Sequence, residues 1–145
     1  MSHSSLSFAA ALGVAVALTL SPALADVMKY KADLNGPSEN PPTTSKGVGA
    51  IEADYDTATK TLSWSGTYSG LTGPETAAHF HGPAAMGANA GVMVPVDAKA
   101  SPFKGSAVLT DEQAKAFADG LIYFNVHTAQ NKRSEEHTSE LQSLV

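Results

Sequence analysis

"GVGAIEADYDTATKTLSWSGTYSGL" (residues 47–71) decides the fold class. In its first half Val48, Ala50, Glu52 and Asp54 alternate with Gly49, Ile51, Ala53 and Tyr55. In its second half Leu62, Trp64, Gly66 and Tyr68 alternate with Thr61, Ser63, Ser65, Thr67 and Ser69. A period of two places successive side chains on opposite faces of a strand, so each half has one face for a core and one for water. The two halves read as strands joined near Asp56–Lys60. Trp64 is the expected core aromatic of a sandwich.

Outward from this pair the punctuation stays that of a β protein. "VMKYKADL" (27–34) is a strand that closes at Asn35-Gly36-Pro37, and "NGPSENPPTT" (35–44), with three prolines, is a loop. After Thr72-Gly73-Pro74 come the strand-like "AAHFH" (77–81), a Gly/Ala-rich loop over 82–91, and strands at "VMVPV", "PFKGSAVLT" and "LIYFNVHT". One helix is predicted near 111–119. Thr110 caps it, Gln113 completes a capping box, acidic residues fill its first turn, and Gly120 ends it. The expected fold is all-β: a Greek-key β-sandwich, immunoglobulin-like or Cu/Zn superoxide dismutase-like, with that one helix.

Both ends are read apart from the domain. Residues 1–25 have a polar start, an apolar run from Phe8 to Leu20 and the small-residue site Ala23-Leu24-Ala25, the pattern of a signal peptide cleaved after Ala25. The run is shorter than the roughly 20 residues that span a bilayer. At the other end the composition switches from Gly/Ala/Val-rich to Glu/Ser-rich at Lys132. "RSEEHTSELQS" (133–143) resembles the reading-frame translation of a sequencing-library adapter. Residues 133–145 are therefore expected to be non-native, irregular or weakly helical, and packed on nothing.

The mature domain, 26–132, has eight lysines against eleven acids, a charge of −3. That excludes the basic face nucleic acid rewards and any polybasic route to a membrane surface. Export is expected, to the periplasm or the medium, and with no cysteine the domain has no disulfide staple. The acids are spread singly, and neither a nucleophile elbow nor a phosphate loop is present, so a binding role is expected rather than an enzyme.

Chemistry concentrates in histidine. Of five histidines, His3 lies in the signal segment and His137 in the tail, leaving His79, His81 and His127. Alternation puts His79 and His81 on one face with Phe80 pointing into the core. It puts Ile122, Phe124 and Val126 inward and Leu121, Tyr123, Asn125 and His127 outward. Three imidazoles on two strands suit a transition metal, copper or zinc, and Met86 or Met93 would add a thioether for reduced copper. The other reading keeps the histidines as hydrogen-bonding anchors, His81 tying down the turn at Gly82-Pro83. Nitrogens within about 4 Å of one another favour a metal; rings tied to backbone carbonyls favour anchoring.

"LNGPSENPPT", "AAHFHGPA" with the loop and "VMVPV" after it, and "LTDEQAKAFADGLIYFNVHTAQN" together resemble the CHRD domain, named after chordin, from about Lys29 to Asn131. The family pattern continues with a further strand of the Gly-Glu-Ile-Arg-Gly-Gln type, so the resemblance implies a domain truncated at its last strand. It also implies an exported module for extracellular or envelope protein partners. A weaker likeness, Gly-Leu-Thr-Gly followed by His-x-His, is to the copper/zinc superoxide dismutases. The additional histidines, the zinc aspartate and the disulfide cysteines of that family are absent, which argues against dismutase activity.

Overall fold

The expected pair forms. In a computed structural model, which describes residues 26–40, 42–85, 87–131, 136–137 and 142–143, Val48–Asp56 (β2) and Thr61–Ser69 (β3) run antiparallel from Val48 opposite Ser69 to Asp56 opposite Thr61. Ile51, Ala53, Tyr55, Leu62 and Trp64 are buried, and the residues between them face outward. The turn closes on Asp56, whose Oδ1 accepts from the backbone N–H groups of Ala58 and Thr59 at 2.9 Å each. Those donors hold the Asp56 carboxyl below the usual carboxylate range.

Val27–Asn35 (β1) pairs with β2, and Phe103–Val108 (β6) pairs with β3, giving a four-stranded antiparallel sheet in the order β1-β2-β3-β6. Glu75–His81 (β4) lies between Val92–Val96 (β5) and Tyr123–Thr128 (β7) in a second antiparallel sheet. Pro95, which cannot donate to a ladder, sits in β5 at the outer edge of that sheet. The chain changes sheet from β3 to β4 and again from β5 to β6, so that β6 returns beside β3, a Greek-key connection.

The two inner faces meet through aromatic rings. Phe80 of β4 has its centroid 5.5 Å from that of Trp64 on β3 and 5.0 Å from that of Phe124 on β7. Phe124 also stacks on Phe103 of β6 at 5.9 Å. Asp111–Ala118 (α1) closes one end of the core with Phe117, which lies 5.6 Å from Phe80 and the same distance from Tyr30. The Tyr30 hydroxyl donates to the Phe117 carbonyl at 2.8 Å, and burial beside Tyr55 pushes its pKa up to about 12. The capping box of α1 forms as expected: Thr110 Oγ1 accepts from the Gln113 N–H at 3.2 Å while Gln113 Oε1 accepts from the Thr110 N–H at 2.9 Å.

The tail departs from expectation. Glu136–His137 (β8) lies antiparallel between β7 and β1, with His137 opposite both Asn125 and Asn35, and Gln142–Ser143 (β9) pairs with β1. The four described tail residues are therefore not free of the domain. The cause is backbone chemistry. β1 and β7 each present a row of N–H and C=O groups at their facing edges, and a two-residue extended segment pairs with such a row whatever its side chains. Residues 1–25, the segment read as a signal peptide, lie outside the described residues. Among those described, no helix is long and apolar enough to cross a membrane.

Candidate functional site: a buried three-histidine cluster

The pairing of β4 with β7 brings the three histidines together. His79 stands opposite Asn125, His81 opposite Tyr123, and Ala77 opposite His127. Because Phe80 and Phe124 take the core side, the outer face of these two strands carries His79, His81, Tyr123, Asn125 and His127. One nitrogen from each histidine lies within 4.8 Å of the others, a wider spacing than the about 4 Å expected of a metal site, and the group holds no carboxylate. The ring centroids of His79 are 5.5 Å from those of His81 and 5.2 Å from those of His127.

The outer face is not an open one. His81 and His127 are each only 8% exposed, and Asn125 only 4%. Part of the cover is the loop 82–91, which returns over His81. The Gly82 N–H donates to the Gly91 carbonyl, and the Ala84 N–H donates to the Leu121 carbonyl at 3.0 Å. Asn40 Nδ2 donates to the Gly87 carbonyl and Asn89 Nδ2 to the Asn40 carbonyl, strapping the loop to the segment after β1. Gly82 is required here. Its φ is +157°, and a Cβ would lie 2.5 Å from the Leu121 carbonyl oxygen.

His81 is clamped. Its ring stacks on Tyr123 with centroids 4.9 Å apart and planes 7° from parallel. Nδ1 lies 3.0 Å from the Ala90 carbonyl oxygen, and Nε2 lies 3.0 Å from the Asn125 side-chain amide. The Tyr123 hydroxyl donates to the same Ala90 carbonyl at 3.2 Å and accepts from the Ala90 N–H at 3.0 Å. An Nδ1–H held by a backbone carbonyl leaves Nε2 as the ring nitrogen toward Asn125, and such a carbonyl is common behind metal-binding histidines.

His79 is the opposite case. Its Nδ1 is buried with no hydrogen-bond partner among the described residues. Desolvation, with a smaller contribution from His81, lowers its pKa below the ordinary value of 6.5. A neutral imidazole with a lone pair to give is the form a metal takes.

Of the two methionines, Met93 is set against the apolar core, beside Gly82 and Ile122, and its carbonyl accepts from Gln113 Nε2 at 2.7 Å. Met86 lies outside the described residues. The residues that sequence reasoning did not single out are Asn125, Tyr123 and Ala90. Asn125 had a signal: it precedes His127 by two on the outward face of its strand.

A two-sheet sandwich with a covered trihistidine cluster on the outer face of one sheet defines the class of protein. The family model for the CHRD domain matches residues 30–135, most of the chain, and the protein belongs to that family. No curated protein and no solved structure matches it.

Proposed function

We propose that this is an exported metal-binding protein in which His79, His81 and His127 hold one copper or zinc ion. The observation that carries the reading is the cluster itself: three imidazole nitrogens within 4.8 Å of one another, with the His79 Nδ1 buried and unpartnered. Isolated buried polar atoms are costly, and a ligand that uses the lone pair removes the cost. Metal–nitrogen bonds of about 2.0–2.1 Å in a tetrahedron put the nitrogens about 3.3 Å apart, so the cluster contracts by roughly 1.5 Å as it closes on an ion.

The donor set favours the lower-charged ion. Three neutral imidazoles leave the full charge of a divalent ion uncompensated in a buried place, whereas Cu(I) brings a single charge and accepts three nitrogen ligands. Zinc would need an anionic water in a fourth position. Export rests on the signal-like segment 1–25.

A second reading has its own observation. His81 is tied to a backbone carbonyl and to Asn125, as a structural anchor in an extracellular interaction module would be. Titration of the chelator-stripped full chain with Cu(I), Cu(II) and Zn(II), read by native mass spectrometry, separates the two. One ion per chain, lost in His79→Ala and His127→Ala, is the expected result. No stoichiometric ion at micromolar metal would leave the anchoring reading.

A further inference from the structure

We propose that Asn125 is the latch of the three-histidine site: it occupies the metal-facing nitrogen of His81 in the metal-free protein, and it must turn away before an ion is held. This rests on the metal-binding reading above. The argument begins with proton counting. Ala90 presents only a carbonyl oxygen to His81 Nδ1, so Nδ1 carries a proton. A neutral ring then offers a bare lone pair at Nε2, and the atom 3.0 Å away is Asn125 Oδ1. With a neutral ring that oxygen faces the lone pair as acceptor against acceptor. The contact is satisfied in two states only: the amide presents its N–H to Nε2, or the ring carries both protons and donates to the amide oxygen. In both, Asn125 takes the one nitrogen of His81 that the cover loop has left free.

Register places the latch where it must be. Asn125 stands directly opposite His79, on the same outer face as His127 two residues on, and its amide meets the His81 ring. It is 4% exposed, with little water to replace a lost partner. Metal ligation by His81 Nε2 therefore breaks the bond to Asn125, and the measured affinity is the intrinsic one reduced by the strength of that bond. A net hydrogen bond of this kind is equivalent to roughly a two- to tenfold change in a binding constant.

The test is Asn125→Leu, which keeps the branched shape and cannot hydrogen-bond. Binding of Zn(II) to the full chain by competition with a chromophoric chelator is expected to tighten about two- to tenfold over wild type. Weaker binding in Asn125→Leu would overturn the proposal by making Asn125 a ligand, and equal binding would overturn it by making Asn125 a bystander. If neither protein binds Zn(II), the same competition is run with Cu(I): no binding of either ion ends the metal-binding reading and the latch with it, whereas binding by the wild type alone removes only the latch. A second measurement stands should the variant misfold. In ¹⁵N-labelled wild type, saturation with Zn(II) is expected to shift the Asn125 side-chain amide resonances and to leave His81 as the Nδ1–H tautomer. Asn125 amide resonances that stay in place on saturation would refute the latch.

Discussion

The two histidines of β4 are predicted to differ sharply when each is replaced by leucine in the metal-free protein. His81→Leu removes two hydrogen bonds, to Ala90 and Asn125 at 3.0 Å each, and the stack on Tyr123 at 4.9 Å. Each bond is worth about 1 kcal/mol net, and an aromatic stack about 0.5–1.5 kcal/mol. The Asn125 amide, 4% exposed, is left without its partner, which costs a further 1–3 kcal/mol or so. The apolar gain of leucine offsets part of this, for a net loss of about 3 kcal/mol. His79→Leu removes a ring whose Nδ1 is already buried without a partner, so the change relieves an unpaid desolvation and stays within about 1 kcal/mol of wild type.

Equilibrium urea unfolding of both variants and wild type, in chelator, measures the difference directly as a shift in midpoint at constant slope. Both variants should also lose the stabilisation that added metal confers on the wild type. The pattern to look for is a histidine that stability does not need and metal binding does. A His79→Leu loss as large as that of His81→Leu would refute the reasoning, because it would make His79 a structural anchor too.

Other outcomes follow from single contacts. Burial and the neighbouring Asp97 carboxylate push the Glu75 carboxyl up, with Lys99 opposing, and its Oε2 is buried without a partner. The folded protein therefore binds that proton more tightly than the unfolded chain does. Glu75 contributes stability below the unfolded value of 4.5 that is lost as pH rises through the higher folded one. Glu75→Gln should accordingly be more stable than wild type at neutral pH, an advantage that shrinks in urea titrations carried below pH 4.5. Thr110→Ala removes the cap of α1 and should cost about 1 kcal/mol by the same assay. Gly82→Ala, with its Cβ 2.5 Å from the Leu121 oxygen and 2.7 Å from Met93 Sδ, should cost more than about 1 kcal/mol and speed amide exchange in the loop over His81. Unchanged exchange at Ala84 and Ala90 would show that the loop tolerates the substitution.

Much of this architecture is legible one residue at a time. The alternation around Trp64 assigns the inner faces of β2 and β3 correctly because it depends only on the pleat, a local property. Phe80, Ile122, Phe124 and Val126 go inward for the same reason, and each is fully buried. The helix at 111–118 declares itself through Thr110 and Gln113, which are three residues apart. What local pattern does not carry is partnership. That His79 lies opposite Asn125 follows from the register of two strands some 45 residues apart in sequence, and no period announces it.

The burial of the histidines shows where a face assignment stops being informative. Alternation separates the core side of β4 and β7 from the other side, and the other side of a two-layer sandwich is ordinarily wet. Here His81 and His127 are buried and His79 half-buried, and part of the cover is the loop of glycines and alanines after β4, which offers the Ala90 carbonyl to both His81 and Tyr123. Small residues that read in sequence as a featureless connection thus supply the hydrogen-bond acceptor that sets the His81 tautomer. The ring so held has its Nε2 3.0 Å from Asn125 Oδ1. The donor geometry of the cluster is decided by a backbone atom, and backbone atoms have no letter in the sequence.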